Sequence, residues 1–312
     1  MTRKRLGLLD KSSKIWLNGK IIDWDEARVH VLTHALHYGT AVFEGIRCYK
    51  TERGPAIFRL EEHMSRLVDS AKIYLMDLKL TQDEISQAIR AIIKANNLEE
   101  CYIRPIAFYG YGEMGVNPLP NEVNFAVAVW RWGAYLGEGA LTRGVRCMVS
   151  SWRRINPLTL PPQAKASANY ANASLAKIEA VKAGYDEAIM LNTLGFVSEG
   201  TGENIFRVKR RVVSTPTAAA GILRGITRDT VIQLAADLGI TCQRADISRE
   251  ELYTSDELFF SGTAAEITPI REVDGRTIGD GPNPITRLLQ TAYSDIVHGR
   301  NKDYGRWLTY LE

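Results

Sequence analysis

Between Arg154 and Lys177 the sequence carries a single charged residue, Lys165, set among Ala164, Ala166, Ser167 and Ala168. A lysine with no carboxylate near it in sequence, once folded into a pocket, is desolvated, and desolvation favours the neutral amine. Such an amine is a nucleophile that forms a Schiff base with a carbonyl. Its small neighbours leave room for a bulky partner. Glu199 stands in a glycine-rich turn, Ser198-Glu-Gly-Thr-Gly-Glu-Asn204. Gly225-Ile-Thr-Arg-Asp229 opens a helix, where free backbone N–H groups and the Thr227 hydroxyl can hold a phosphate. Ser261-Gly-Thr-Ala-Ala-Glu266 is a second small-residue turn able to set N–H groups around an anion. Arg59, inside the apolar run 56–60, calls for an anion or a carboxylate partner.

Each feature taken alone also has a plain structural reading: a surface lysine on a loop, an ordinary helix cap, an internal ion pair. Together they meet the needs of pyridoxal phosphate. Its aldehyde needs a lysine, its pyridinium nitrogen a carboxylate or other anion, and its phosphate N–H groups and a cation. Tyr102 and Arg104 alternate onto one face of an expected strand. The pair suits carboxylate recognition, with a structural ion pair as the competing reading for Arg104. His34 and His37 lie one helical turn apart, a spacing able to suit a metal. No second cluster of ligands accompanies them, so the expectation is a polar network and no metal.

Positioning these side chains takes more than one core, because 312 residues exceed a typical single domain. The glycine-punctuated stretch from Trp132 to Gly139 reads as a linker. The expected division is a small N-terminal α/β domain over 1–130, a linker over 131–140 and a larger C-terminal domain over 141–312. Asn18-Gly19 marks a hairpin within 15–22. Strands are expected at 47–49, 56–60, 101–109, 123–130, 145–151, 188–191 and 257–260, and on both sides of the Glu199 turn, with a hairpin at 273–276. Met64, Leu67, Val68, Ala71 and Leu75 repeat at helical spacing. Capping boxes at Thr81-Gln-Asp-Glu84 and Ser248-Arg-Glu-Glu251 open further helices. The first carries Ile85, Ala88, Ile89, Ile92 and Ile93 on one face. Helices are also expected at 170–183, from Gly225 with Val231, Leu234 and Leu238 inward, and at 285–297.

Apolar content of 45% and charged content of 24% are those of an ordinary globular protein, and the net charge of +3 is small. The basic cluster Arg3, Lys4, Arg5, Lys11 and Lys14 reads as a solvated tail. A binding protein that contacts nucleic acid or an anionic surface is the other reading, but no aromatic-interleaved basic patch supports it. The four cysteines are far apart and form no C-x-x-C pair, which argues against zinc or a disulfide framework and suits a reducing cytosol. No apolar run approaches the ~18 residues needed to span a membrane, and the N-terminus has no signal-peptide core. The expected location is cytoplasmic.

Ordered motifs along the chain are His34-Ala-Leu-His-Tyr-Gly-Thr40, Phe43-Glu-Gly-Ile-Arg47, Tyr102-Ile-Arg-Pro105 and Trp132-Gly-Ala-Tyr-Leu-Gly137. They continue with Ala164-Lys-Ala166, Asn169-Tyr170, the Glu199 turn, Gly225-Ile-Thr-Arg228 and Ser261-Gly-Thr-Ala-Ala-Glu-Ile-Thr-Pro269. With these the sequence resembles the branched-chain amino acid aminotransferases, in the class IV (fold type IV) group of pyridoxal phosphate enzymes, from Ile15 to about Ile296. The resemblance implies an α/β, two-domain fold type IV enzyme with its active site between the domains. The reaction implied is ping-pong transamination of L-leucine, L-isoleucine or L-valine with 2-oxoglutarate. Lys165 would be the Schiff-base lysine and proton shuttle, Glu199 the partner of the pyridine nitrogen and Tyr170 that of the phenolic oxygen. Arg59, Ile226, Thr227 and Thr263 would hold the phosphate. Tyr102, Thr263 and Ala264 would take the α-carboxylate and Arg104 the distal carboxylate of glutamate. Tyr38, Phe43, Gly45, Trp132 and Tyr170 would shape an apolar side-chain pocket. A dimer or higher homo-oligomer follows, with the Val116 loop and Tyr135 supplied by the partner subunit. Relatives often have glycines after the lysine and alanine at position 201, where this chain has Ala166, Ser167 and Thr201. D-amino acid aminotransferase, (R)-selective amine transaminase and aminodeoxychorismate lyase share the fold and stand as alternatives.

Overall fold

The computed structural model describes residues 11–133, 136–137 and 139–311. Contacts divide the chain into two compact units, Met1–Gly133 with Trp307–Glu312, and Ala134–Arg306. Each is a mixed α/β body built on its own sheet.

In the first unit β1 (Lys14–Leu17) and β2 (Lys20–Asp23) close around Asn18 and Gly19, both at positive φ, the twist that an Asn-Gly hairpin supplies. Then come α1 (His34–Tyr38), β3 (Ala41–Phe43), β4 (Ile46–Thr51), β5 (Gly54–Phe58), α2 (Leu60–Ile73), α3 (Gln82–Ala95), β6 (Cys101–Tyr109) and β7 (Val123–Trp130). With the last strand of the chain, β17 (Leu308–Tyr310), they form an eight-stranded sheet ordered β17-β5-β4-β6-β7-β1-β2, with β3 also on β6. The Thr81 hydroxyl accepts from the Glu84 N–H at 3.2 Å, and the Glu84 carboxylate accepts from the Thr81 N–H at 2.7 Å, so the capping box starts α3 as expected. All five apolar residues of its stripe are buried. Lys11 and Lys14 pair with Asp25 and Asp23. Arg3, Lys4 and Arg5 lie outside the described residues.

Three expectations need correction here. Arg59 is not inside a strand: β5 ends at Phe58, and Arg59 takes a left-handed conformation (φ 50°) as the residue that turns the chain into α2. Leu75 is not part of the α2 stripe. The helix ends at Ile73, and Leu75, also left-handed (φ 54°), is 71% exposed. The last strand does not stay with the second half of the chain, because Leu308 pairs with Phe58 and Tyr310 with Ala56 in the first sheet.

The second unit contains α4 (Ala140–Arg143), β8 (Val145–Val149), α5 (Ser167–Lys182), β9 (Glu187–Leu191), β10 (Val197–Gly200), β11 (Asn204–Lys209) and β12 (Val212–Thr215). It continues with α6 (Ile226–Asp237), β13 (Cys242–Arg244), α7 (Arg249–Tyr253), β14 (Glu257–Gly262), β15 (Glu266–Val273), β16 (Arg276–Thr277) and α8 (Pro284–Val297). The nine-stranded sheet runs β10-β9-β8-β15-β14-β11-β12-β13, with β16 on β15. It is mixed: β8 lies parallel to both β9 and β15. Cys147, Ile189, Leu191, Ile205 and Phe260 pack one core cluster. Two local expectations shift. Glu199 sits within β10, where the register slips between Val197 and Glu199, and the turn proper follows it. Leu238 caps the end of α6 and is 40% exposed. Among the described residues no helix is long and apolar enough to cross a membrane.

Candidate active site

Lys165 lies just before α5, between the buried Ala164 and Ala166. Its Nζ donates to the Tyr170 hydroxyl, in the first turns of α5, at 2.8 Å. The Asn169 amide nitrogen donates to Pro161 O and Ala164 O, both at 3.0 Å, which fixes the loop that carries the lysine.

Glu199 is buried on β10. Its Oε1 pairs with Arg154 Nη2 at 2.8 Å, and its Oε2 accepts from Asn204 Nδ2 at 2.9 Å and from the Leu223 N–H at 3.1 Å. Burial pushes the Glu199 carboxyl above the ordinary glutamate range, while Arg154, the Leu223 N–H and the charge of Lys165 pull the other way. The result is a carboxyl group held in place by Arg154, Asn204 and the Leu223 N–H. Asn204 also donates to Leu223 O at 2.9 Å. A Cβ on Gly225 would run into the Asn204 side-chain oxygen, so glycine is required where the chain passes from Glu199's partners to the start of α6. There Ile226 and Thr227, both buried, form the first turn of α6. Arg228 points away from that end, donating to Thr215 Oγ1 and Pro216 O at 3.1 and 2.8 Å. Thr263 and Ala264, half-buried, occupy the turn between β14 and β15.

In the first unit Arg104 lies on β6 with its guanidinium 4.7 Å from the Phe43 ring and 5.8 Å from Trp130, and its Nη2 donates to the Tyr102 hydroxyl at 3.3 Å. Trp132 stacks on Tyr102 at 4.6 Å. A Cβ on Gly45 would run into the Tyr102 hydroxyl. Phe43, Gly45, Tyr102, Arg104 and Trp132 are thus brought together. Tyr38 is not among them: it packs on His34 and is 41% exposed. Arg59 does find a carboxylate, Glu62 Oε1 at 2.7 Å, and lies over the Trp307 ring. His34 bonds Thr40 Oγ1 and Gly115 O, and His37 bonds Val31 O, the polar network expected of them. Tyr135 lies outside the described residues.

The family described as amino-transferase class IV matches residues 41–273. A branched-chain-amino-acid aminotransferase of Salmonella typhimurium is 49% identical over 300 residues, covering 96% of this chain and 97% of that one. This chain belongs to the branched-chain group of the class IV aminotransferases. The crystal structure of the Escherichia coli branched-chain amino acid aminotransferase superposes with a TM-score of 0.94 at 48% identity, covering 97% of this chain and 100% of that one. The Thermobaculum terrenum branched-chain amino acid aminotransferase, crystallised in its PLP-form, gives 0.90 at 39% identity, over 97% of this chain and 99% of its own.

Three residues of this aminotransferase escape the sequence reading. Arg154 enters it only as a boundary of the uncharged stretch around Lys165, yet it forms the ion pair with Glu199. Asn204 enters as the end of a motif, without its role as the link between Glu199 and Leu223. Trp130 closes the strand that pairs with Tyr102, and its ring lies 5.0 Å from the tyrosine. The Trp130-Arg-Trp132 repeat is a usable signal, because alternation sets both indoles on one face.

Proposed function

We propose that this enzyme transfers the amino group of L-leucine, L-isoleucine or L-valine to 2-oxoglutarate with pyridoxal 5′-phosphate as cofactor, releasing one product before binding the second substrate. The observation that carries the reading is the Lys165 amine on the Tyr170 hydroxyl, with the buried carboxyl of Glu199 held by Arg154, Asn204 and the Leu223 N–H. That donor set fits the cofactor: an amine for its aldehyde, a phenol for its ring oxygen, a carboxylate for its protonated nitrogen. When bound, the cofactor supplies an electron sink that makes the substrate Cα proton acidic.

The chain's own residues do the rest. Lys165 would hold the cofactor through its Nζ, and that amine, when free, would move the proton at the substrate Cα, with the Tyr170 hydroxyl orienting it. Arg154 and Asn204 fix the Glu199 carboxylate. The first-turn N–H of Ile226, the hydroxyls of Thr227 and Thr263, and Arg59 hold the phosphate. Tyr102 and the backbone at Thr263 and Ala264 bind the α-carboxylate. Arg104 receives the distal carboxylate of glutamate. When an apolar side chain is bound instead, the guanidinium rests on Phe43, Tyr102 and Trp130. Gly45 and Trp132 shape the side-chain pocket.

Self-association completes the reading. Val31, Leu36, Tyr111 and Val116 are exposed, Val116 at 83%. The segments that bear them are joined by the His30–Tyr111 ring contact and the bond from His34 to Gly115 O. An apolar surface of that kind suits a second copy of the chain, with the Val116 loop, Tyr38 and Tyr135 serving the partner subunit's pocket. The free thiols Cys48, Cys101, Cys147 and Cys242 suit a reducing compartment, and the cytoplasm is the location assigned.

The test is the absorbance of the enzyme loaded with pyridoxal phosphate. L-leucine bleaches the long-wavelength band, 2-oxoglutarate restores it, and Lys165→Ala loses both responses. A band that ignores L-leucine and responds to D-alanine or (R)-1-phenylethylamine overturns the substrate assignment.

A further inference from the structure

Phe43, Glu44 and Gly45 are consecutive, and the two outer residues touch the carboxylate-recognition pair: Phe43 lies under the Arg104 guanidinium, and Gly45 abuts the Tyr102 hydroxyl. Glu44 reaches instead to α2 and is fully buried. Its Oε1 accepts from Arg66 Nε at 2.7 Å. Its Oε2 accepts from Arg66 Nη2 at 2.8 Å, from His63 Nδ1 at 2.7 Å and from the Gly45 N–H at 3.3 Å. The Glu44 N–H donates to Pro105 O at 2.9 Å, next to Arg104 on β6. Burial opposes ionisation of Glu44, but Arg66 and His63 overcome it and hold its carboxyl well below the usual glutamate range. The segment is therefore tied at its main chain to β6 and at its one buried charge to a two-pronged guanidinium on α2. Such a fork is directional as well as strong.

We infer that Glu44, held by Arg66 and His63, is a positioning residue for substrate carboxylates: it keeps Phe43 and Gly45 where the Tyr102 hydroxyl and the Arg104 guanidinium share one geometry. The inference rests on reading Tyr102 and Arg104 as the carboxylate-binding pair. One pocket has to take an apolar side chain and a carboxylate in turn, and a wall that gives by ~1 Å is enough to degrade alignment in such a site. Because Glu44 also accepts from the Gly45 N–H, it couples that wall to α2 through a single carboxylate.

Three variants separate positioning from bracing. Glu44→Gln takes the carboxylate charge away from the partly buried Arg66 guanidinium. Glu44→Gln/Arg66→Met removes both charges and with them the cost of an unpaired one. His63→Gln keeps the ion pair whole. Thermal unfolding and steady-state kinetics with 2-oxoglutarate as the varied substrate are measured for each. In the double variant the KM for 2-oxoglutarate rises about 10-fold while kcat stays within about 3-fold, even where its melting temperature returns to the wild-type value. His63→Gln gives a smaller rise in the same direction, with the absorbance of the loaded enzyme unchanged. A wild-type KM in the double variant or in His63→Gln, or a fall in kcat at constant KM, overturns the inference. Arg104→Ala is measured alongside. If it too leaves the KM for 2-oxoglutarate unchanged, the assignment of Arg104 fails; if it raises that KM and the Glu44 variants do not, only the inference fails.

Discussion

At the scale of single residues, Gly45 shows how little room the carboxylate end of the site leaves. Its φ is not in the left-handed region, so the backbone would accept alanine. What excludes a side chain is the Tyr102 hydroxyl. Gly45→Ala is expected to displace that hydroxyl, cost about 1–3 kcal/mol in stability and raise the KM for both L-leucine and 2-oxoglutarate. Steady-state kinetics and thermal unfolding check it, and an unchanged KM would show that Tyr102 does not bind the carboxylate. Lys165 and the Tyr102/Arg104 pair were legible because their signals are local: an isolated charge, and two positions of a strand on one face. The Glu199 site was legible only in part. Its carboxylate stood out, but its partners Arg154 and Leu223 come from distant parts of the chain. Arg59 was misread for a different reason. Nothing in an arginine's identity announces the left-handed backbone it adopts there.

At the scale of elements, the turn from β10 to β11 brings two buried carboxyl groups, Glu187 and Glu203, near one another. Glu187, at the start of β9, pairs with Lys177 Nζ at 2.7 Å and accepts from the Thr201 hydroxyl at 2.6 Å. Thr201 thus supplies a donor that alanine would lack at this position. Glu203 is poorer in partners: its Oε2 accepts from the Gly202 N–H at 3.1 Å, and its buried Oε1 finds no donor among the described residues. Burial, then the neighbouring Glu187, pushes Glu203 up from the ordinary 4.5 to about 8. The folded chain therefore keeps a proton there that the unfolded chain releases. Its contribution to stability is fully present below pH 4.5 and is lost as pH rises towards about 8. Glu203→Gln stays neutral throughout, so its melting temperature should gain on the wild type as pH increases across that window. A constant difference, or one that shrinks, would contradict the assignment. Elements were legible where periodicity and caps agree, as in α3. They were misjudged where a left-handed residue ends them without glycine or proline, as at Leu75.

At the scale of the whole molecule, the last strand was the least legible feature. A short segment such as 308–310 carries no pattern that names its partner, and its pairing with β5 spans most of the sequence. Trp307 packs edge-on against Phe58 at 6.0 Å, and the Trp307 carbonyl accepts from the Arg59 N–H at 2.7 Å. Ending the chain after Arg306 would expose one edge of β5 and remove that acceptor. The expected outcome is earlier proteolysis of the first unit and weaker retention of pyridoxal phosphate, read by limited digestion and by cofactor release. Digestion and retention like those of the full chain would show that the strand is dispensable.

The proposed amino transfer runs in two separate halves, with the amino group resting on the enzyme between them. Its most direct measurement is a single turnover of the loaded enzyme with 15N-labelled L-leucine and no acceptor, followed by 2-oxoglutarate. The expected yield is about one 4-methyl-2-oxopentanoate per active site before the acceptor is added, then about one 15N-L-glutamate after it, and neither with Lys165→Ala. Oxo acid that forms only once 2-oxoglutarate is present, or label recovered as ammonia or D-glutamate, would contradict it.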